Sequence, residues 1–318
     1  MIERVRILVL RGGAIGDFML TLPALCALRR QWPDAYLEII GYPHIAELAR
    51  AAGLADHIDS LDRARIAMLF SDRPGPDPAL RAHIRSFHFV LSYLHDPNGV
   101  VVENLRRSGS KQVLYGSPKP SAAGLHAADH LLRPLEELAL FEAGAVPRLD
   151  LLPRHRDAGH ARLAQLGLRG GRPPVALHPG SGSPSKNWPV ERFINLALAL
   201  AKRGVAPFFL TGEADLPALE SIRRAAPKDI PLVRGLSLLE TAELLSACPF
   251  FAGNDSGITH LAAALQCRCW AIFGPSDPSV WGPRGAHVSI LRAPDGILEA
   301  LSLHAVLEAM SGGLAADR

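Results

Sequence analysis

The chain has no long apolar run, little net charge and few cysteines, and each shortage excludes a class of protein. No apolar stretch approaches the ~20 residues that a membrane-spanning helix needs. Among its 318 residues, 34 Lys and Arg nearly balance 31 Asp and Glu, which leaves +3 and argues against binding nucleic acid through its phosphates. The 4 cysteines fit neither a disulfide framework nor a tetrahedral zinc site. We therefore expect a cytoplasmic protein with reduced thiols in or near its core and no nucleic-acid partner.

Two common phosphate-binding signatures are also missing. The chain contains no Gly-x4-Gly-Lys-Ser/Thr P-loop. Its first glycine-rich turn, "RGGAIGD", lacks the Gly-x-Gly-x-x-Gly spacing, and no acidic residue about 20 residues on is convincingly placed as a ribose ligand. A dinucleotide-dependent oxidoreductase is therefore disfavoured.

Short apolar runs alternate with longer helical patterns along the whole chain. The runs "VRILVL", "AYLEIIG" and "HFVLSYL" read as buried strands, and after an Arg-, Gly- and Pro-rich stretch the pattern restarts with "PVALHPG", "APFFLTG", "PFFAGND" and "CWAIFGP". This alternation predicts an α/β protein with two doubly wound parallel sheets. We expect domains at 1–160 and 161–295, a last helix at about 296–312, and a loop rather than a helix over 71–83.

The stretch "HPGSGSPSKNWP", residues 178–189, is the first candidate binding site. It follows a predicted strand and precedes a predicted helix, so its main-chain N–H groups and the hydroxyls of Ser181 and Ser183 can meet an anion. Gly182 leaves room for a ligand, and Lys186 adds a full positive charge. The alternative is an ordinary loop with a solvated lysine.

The stretch "GNDSGITH", residues 253–260, is the second. Small residues at Ser256 and Gly257 leave room for a phosphate at a helix N-terminus, and His260 lies one turn further on. Asp255 is alternatively only a helix N-cap, and His260 only a packed histidine. Because both stretches follow strands, they belong to the sheet edge where open α/β sheets bind ligands.

Two further turns complete the set. In "FGPSDPSVWGP", residues 273–283, Gly274 and Pro275 set a tight turn that either holds a base or ribose or is a rigid connector. In "RGGAIGDFMLTLP", residues 11–23, a turn with Gly12, Gly13 and Gly16 ends in Asp17, whose carboxylate would repel a phosphate. The simplest interpretation of Asp17 is a helix N-cap, worth about 0.5–2 kcal/mol.

Together these four stretches resemble glycosyltransferase family 9, the ADP-heptose:lipopolysaccharide heptosyltransferases. The shared pattern is Gly-Asp with Leu-Pro five residues on ("GDFMLTLP"), a Lys-x-Trp-Pro loop, Asn-Asp-Ser-Gly-x-x-His and Phe-Gly-Pro-Ser/Thr-Asp-Pro. The resemblance covers residues 5–285. The loop before Lys186 differs from the threonine pair of the best-known members, which leaves sugar and nucleotide specificity open. The segment 95–107 also looks like part of some members.

The resemblance implies a GT-B fold, in which two Rossmann-like domains with parallel sheets face across a cleft and the last helix crosses back to the first domain. The N-terminal half would bind the acceptor, beside the turn with Gly12, Gly13 and Gly16. The C-terminal half would bind the nucleotide sugar. The donor-binding residues it implies are Ser181, Gly182, Ser183, Lys186, Asp255, Ser256, Gly257, His260, Gly274 and Pro275.

Inverting sugar transfer needs a base for the acceptor hydroxyl and positive charge on the departing diphosphate. By resemblance, Asp17 meets the first need and Lys186 the second, so we expect these two to be catalytic. The chain contains no Asp-x-Asp, which favours catalysis without a metal ion or another cofactor. The expected partners are an ADP-linked sugar and a lipid-linked or glycan acceptor, with peripheral contact at the inner membrane.

Two other functions remain open on the same fold. A nucleotide-sugar epimerase or hydrolase would act on the donor alone, and a non-catalytic nucleotide-binding protein would bind it without turnover. Basic residues in the N-terminal half face either an anionic acceptor or solvent, and solvation is the ordinary interpretation; they are Arg106, Arg107, Lys111 and Lys119.

Overall fold

The computed structural model describes residues 4–71, 75–120, 124–168, 170–212 and 215–315. The chain packs as two compact units, Met1–Leu149 and Asp150–Arg318. Each unit is built on a parallel sheet covered by helices, which confirms the predicted α/β class. Across the described ranges, no helix is both long and apolar enough to cross a membrane.

The first unit holds a five-stranded sheet in the order β3-β2-β1-β4-β5. Its strands are β1 Arg6–Arg11, β2 Tyr36–Gly41, β3 His57–Ser60, β4 Phe89–Ser92 and β5 Val113–Tyr115. Its helices are α1 Ile15–Gln31, α2 Pro43–Ala51, α3 Ala64–Ala67, α4 Pro78–Arg85, α5 Val100–Arg107 and α6 Ala127–Leu132, with 3-10 turns at Met68–Phe70 and Arg133–Leu138.

Strand β1 lies at the centre of this sheet, and its sequence shows why. Four successive apolar residues, Ile7 to Leu10, are completely buried, because a parallel sheet is covered on both faces and its central strands do not alternate. The register pairs Leu8 with Glu38 of β2 and with Val90 of β4. The strand order reverses between β1 and β4, so the loops after these two strands flank the crevice where open α/β sheets bind ligands.

The second unit holds a six-stranded parallel sheet in the order β11-β10-β9-β6-β7-β8. Its strands are β6 Pro174–His178, β7 Ala206–Thr211, β8 Leu232–Arg234, β9 Phe250–Asn254, β10 Arg268–Phe273 and β11 Val288–Arg292. Its helices are α7 Pro153–Gln165, α8 Val190–Lys202, α9 Leu216–Ala225, α10 Leu238–Ser246, α11 Gly257–Ala264, α12 Pro278–Trp281 and α13 Leu303–Ala315, with 3-10 turns at Pro184–Lys186, Pro294–Gly296 and Leu298–Ala300. Here the order reverses between β6 and β9, so the loops after these strands are neighbours.

The boundary between the units falls earlier than the predicted position after residue 160. Helix α7 spans that position and belongs to the second unit, where it packs on α10. The two helices meet at Gly159, where a Cβ atom would lie 1.9 Å from the carbonyl oxygen of Glu243. Beside this crossing, His155 Nδ1 lies 2.7 Å from the Glu243 carboxylate. Helix α7 was not predicted, because its sequence is rich in Arg and begins with Pro153.

The last helix, α13, begins at Leu303 and packs on α8 within the second unit. That the helix predicted over about 296–312 crosses back to the first domain stays a prediction. Val306, Met310 and Leu314 recur every four residues and are buried in one cluster with Trp270. The indole N–H of Trp270 donates to the carbonyl oxygen of Ala309 at 3.2 Å.

Residues 71–83 were predicted as a loop, and part of that prediction is wrong. Helix α4 begins at Pro78, and the Asp77 carboxylate caps it by accepting from the N–H of Leu80 at 2.7 Å. Leu80 and Ile84 bury its inner face. Residues 72–74 lie outside the described residues.

The cysteines match the expected reduced thiols. Cys248, Cys267 and Cys269 are buried in the second unit. Burial raises the pKa of Cys248 to about 12 and raises the pKa of the other two thiols as well. Cys26 is half-buried in the first unit, 3.8 Å from the carbonyl oxygen of Arg148.

Candidate functional site

The turn after β1 places Asp17 in the first turn of α1. The helix begins at Ile15, and its N-cap is Ala14, so Asp17 is not the N-cap that the simplest interpretation made it. Its Oδ2 nevertheless accepts from the N–H of Ala14 at 2.9 Å. Gly13 has φ +96°, and a Cβ there would lie 2.8 Å from the same oxygen. Only glycine fits that position with the carboxylate in its present place.

Arg11, the last residue of β1, holds the main chain of Asp17. Its side chain is 2% exposed. Its Nη2 donates to the carbonyl oxygen of Asp17 at 2.6 Å, and its Nε donates to Oγ1 of Thr21 at 2.9 Å. The Thr21 hydroxyl in turn donates to the Asp17 carbonyl oxygen at 2.9 Å. These three hydrogen bonds link the Arg11 guanidinium, the Thr21 hydroxyl and the Asp17 carbonyl group to one another in a closed ring.

Burial of the Arg11 guanidinium has an energetic cost. Loss of hydration lowers the pKa of Arg11, while the charge of Asp17 and the Tyr93 side chain raise it. The guanidinium carbon also lies 5.7 Å from the Tyr93 ring centroid, within range of a cation–π contact. Such burial costs several kcal/mol, which hydrogen bonds from a charged donor offset at about 1.5–3 kcal/mol each. Sequence reasoning did not single out Arg11; the only signal was a charged residue ending an apolar strand.

A cavity of about 690 Å³ opens beside Asp17 at the carboxyl edge of the sheet. Asp17, Arg11, Gly12 and Gly13 contribute to its wall from the β1 side. The other lining residues are Tyr42, Leu61, Asp62, Phe70, Tyr93, Leu94, His95, Ser117, Pro118 and Lys119. Of the four basic residues singled out in this half, Lys119 is the one that lines the cavity. Gly16, predicted at the same turn, lies inside α1.

In the second unit, the structure brings the first two predicted stretches together. Lys186 Nζ lies 2.7 Å from Oδ2 of Asp255, although 69 positions separate them in the chain. The Lys186 side chain is 36% exposed and that of Asp255 is 7% exposed. The loop that carries Lys186 turns at Ser181, whose hydroxyl donates to the carbonyl oxygen of Ser183 at 2.6 Å. Gly182 between them is exposed, and a Cβ there would meet no atom within 4 Å.

Asn254, at the end of β9, ties these two loops to each other. Its Nδ2 donates to the carbonyl oxygen of Pro179 at 2.7 Å, and its Oδ1 accepts from the N–H of Trp188 at 3.0 Å. The next helix, α11, begins at Gly257, and its N-cap is Ser256, which accepts from the N–H of Thr259 at 3.2 Å. Asp255 is therefore not the N-cap, and its carboxylate is available to pair with Lys186.

The remaining predicted donor-side residues, His260, Gly274 and Pro275, differ in how deeply they are buried. His260 is buried, with 6% of its surface exposed, on the second turn of α11. Gly274 follows β10 and packs closely, since a Cβ there would lie 2.7 Å from Cγ of Leu298. Pro275 is exposed, and Asp277 caps α12. The described contacts of this last turn do not join it to Lys186, and a role in holding a base or ribose stays a prediction.

Most of each unit matches a known family. The family model of glycosyltransferase family 9 (heptosyltransferase) matches residues 28–302. The chain belongs to this family. Its match begins after the turn that carries Asp17 and includes Lys186 and Asp255. The roles of all three residues stay predictions.

Individual relatives of this family agree. Lipooligosaccharide heptosyltransferase 2 of Haemophilus influenzae is 32% identical over 175 residues, which is 50% of this chain and 51% of that protein. The aligned part thus spans about half of that relative. The crystal structure of a family 9 glycosyl transferase from Veillonella parvula has a TM-score of 0.81 at 20% identity and covers 99% of this chain and 98% of its own. ADP-heptose lps heptosyltransferase II of Escherichia coli has a TM-score of 0.80 at 18% identity, with 98% and 99% covered. The likeness confirms the predicted GT-B class of fold.

One buried pair in this family 9 chain was not predicted. His178, the last residue of β6, donates from Nδ1 to the carbonyl oxygen of Leu210 at 2.9 Å and lies 4.0 Å from Oδ2 of Asp215. Burial lowers the pKa of His178 below its usual value of 6.5. Gly180 follows in the Lys186 loop, and a Cβ there would lie 1.7 Å from Oδ1 of Asp215. In the described ranges, no three His, Cys, Asp or Glu side chains converge to hold a metal ion.

Proposed function

We propose that this family 9 member is an inverting glycosyltransferase that moves heptose from ADP-heptose onto a lipopolysaccharide core or a related cell-surface glycan. The observation that carries the proposal is the position of Asp17, whose carboxylate lines a cavity of about 690 Å³ at a sheet edge. One carboxylate oxygen accepts from Ala14. Among the described residues, the other oxygen has no hydrogen-bond partner and can accept a proton.

In the proposed reaction, Asp17 takes the proton of an acceptor hydroxyl as its oxygen attacks the anomeric carbon of the donor sugar. The new C–O bond forms on the face opposite the nucleotide, so the configuration at that carbon inverts. The bond to the diphosphate oxygen breaks, and its electron pair leaves with ADP. The transferred proton stays on the carboxyl group until solvent removes it.

The second unit supplies the donor side of this proposal. Lys186 would neutralise the diphosphate as its charge grows, which supports leaving-group departure without a metal ion. Helix α11 is eight residues long, and its N-terminus, at Ser256 and Gly257, adds favourable dipole charge for a phosphate. Asp255 would contact the donor sugar, and its pairing with Lys186 at 2.7 Å orders both side chains before the donor binds.

The identity of the donor is supported by the relatives rather than by a residue of this chain. The Escherichia coli protein of the same fold is named an ADP-heptose lps heptosyltransferase, and the Haemophilus influenzae relative is a lipooligosaccharide heptosyltransferase. An acceptor of this class is lipid-linked, so we propose that the protein works at the cytoplasmic face of the inner membrane.

The test uses Asp17→Ala with ADP-heptose and a heptose-deficient lipopolysaccharide core, and follows the product by mass spectrometry. Transfer should fall to background while calorimetry finds the affinity for ADP unchanged. The matched control is Asp77→Asn, because Asp77 also accepts from a main-chain N–H in the first turn of a helix but does not line the cavity. Unaltered transfer by Asp17→Ala would refute the proposal. Release of free sugar from the donor without an acceptor would favour a hydrolase instead.

A further inference from the structure

Arg11 is a buried cation at the edge of the Asp17 cavity. Its described contacts are the carbonyl oxygen of Asp17, the hydroxyl of Thr21 and the ring of Tyr93. Its Nη1 has no hydrogen-bond partner among the described residues. No carboxylate forms an ion pair with the side chain within the part of the chain that the structure describes. Burying this charge costs hydration free energy that an apolar residue at the same position would not lose. Its presence therefore points to a function that requires the guanidinium.

We propose that Arg11 and Thr21 are positioning residues that hold Asp17 in the orientation from which it takes the acceptor proton. The inference rests on the proposed function, since it gives Asp17 the role of base. Neither residue touches the reacting atoms in this account; both act through Asp17.

The geometry fixes Asp17 at two points. Its carbonyl oxygen is held by Arg11 Nη2 at 2.6 Å and by Thr21 Oγ1 at 2.9 Å. Its side chain is held by the Ala14 N–H, which meets Oδ2 at 2.9 Å. With the main chain and Oδ2 both held, Oδ1 is the oxygen that can receive the proton. A base must lie within hydrogen-bond reach of that proton, so small displacements reduce the rate.

The shape of arginine matters as well as its charge. The rigid guanidinium fork presents Nη2 to the Asp17 carbonyl oxygen and Nε to Thr21 at the same time, whereas a lysine ammonium is a compact charge on a flexible stem, with no fork to hold its donors in that geometry. Arg11→Lys therefore keeps the charge and removes the fork. Thr21→Val keeps the volume and removes the hydroxyl that links Arg11 to Asp17, and Thr21→Ser restores that hydroxyl.

The experiment measures kcat and the donor KM of the full chain with ADP-heptose and a heptose-deficient lipopolysaccharide core. Arg11→Lys and Thr21→Val should each lower kcat by about 10- to 100-fold, with the KM for ADP-heptose unchanged, because the proposed donor residues lie in the other unit. Thr21→Ser should return kcat to within about threefold of the unaltered protein. Arg6→Lys is the matched control: Arg6 lies on the same strand, at its other end, and stacks 4.3 Å from the Tyr36 ring. Its kcat should not change.

A double-mutant cycle separates positioning from a purely structural role. If Arg11 and Thr21 act through Asp17, then Arg11→Lys and Thr21→Val should cause no further loss when Asp17 is already Asn. Equal losses with and without Asp17 would overturn the inference, and so would an unchanged kcat in Thr21→Val. If Arg11→Lys does not fold, the comparison of Thr21→Val with Thr21→Ser tests the inference by itself. Failure of the proposed function looks different, because Asp17→Asn itself would then retain turnover.

Discussion

Replacing Gly159 with alanine tests how closely α7 and α10 pack in the second unit. The added Cβ would lie 1.9 Å from the carbonyl oxygen of Glu243 and 2.7 Å from its carbonyl carbon. Both atoms belong to the main chain of a helix, so no side-chain rotation can relieve the contact. The two helices must separate locally by roughly 1 Å, and the contact of His155 with the Glu243 carboxylate, now 2.7 Å, must shift with them.

Two opposing effects set the size of the change. Overpacking of this kind costs about 1–3 kcal/mol, and contact with main-chain atoms places it in the upper part of that range. Alanine in the interior of a helix returns about 1 kcal/mol relative to glycine. The sum is a loss of about 1–2 kcal/mol in the free energy of unfolding. In a unit of this size the melting temperature should fall by about 2–8 °C.

The assay is scanning calorimetry of the full chain, together with urea unfolding followed by circular dichroism. The matched control is Gly312→Ala in α13, where an added Cβ would meet no atom within 4 Å. That control should gain up to about 1 kcal/mol from helix propensity alone. If Gly159→Ala were as stable as the unaltered protein, or gained as much as Gly312→Ala, the inferred close packing of α7 and α10 would be wrong.

Two further predictions concern the second unit. Lys186→Ala should raise the donor KM and lower kcat by about 10²–10³-fold, the size seen when one group that stabilises a developing negative charge is removed. Steady-state kinetics and calorimetry with ADP measure these changes, and Lys202→Ala, at an exposed position, is the control. Unchanged KM and kcat in Lys186→Ala would contradict the prediction. Burial lowers the pKa of His178. As pH drops below about 6.5, the unfolded chain therefore binds a proton at this residue that the folded chain does not. The free energy of unfolding should then fall by up to about 1.4 kcal/mol per pH unit. Urea unfolding at pH 7.5 and 5.5 should therefore show a smaller decline in His178→Gln than in the unaltered protein, and equal declines would refute the assignment.

The sequence predicted the centre of each sheet but missed every edge strand. The seven strands that were predicted have four to six residues, nearly all of them buried. The missed strands are β3, β5, β8 and β11, which have three to five residues and are partly exposed. Such short, partly exposed runs show no clear hydrophobic periodicity. Whether they form strands depends on pairing with the neighbouring strand more than on their own composition.

The candidate sites show the same limit. The types and order of residues predicted that Lys186 and Asp255 share a sheet edge, because both follow parallel strands. Their direct pairing at 2.7 Å depends on Asn254, which draws the two loops together through contacts that no local pattern reports. Arg11 was missed for a related reason. Its role depends on burial and on three hydrogen bonds, whereas its sequence context is only the end of a strand.

The distribution of the cysteines gives the protein a built-in reporter. Cys248, Cys267 and Cys269 are buried in the second unit with raised pKa values, whereas the half-buried Cys26 belongs to the first. Thiolates, not thiols, react with disulfide reagents, so these three sites should remain unlabelled until the second unit opens. The rate at which they become labelled therefore measures the opening of the second unit alone, without any engineered probe. If the second unit binds the donor as proposed, adding ADP should slow that rate in proportion to the occupancy of the site, and a simple colour reaction then becomes a donor-binding assay.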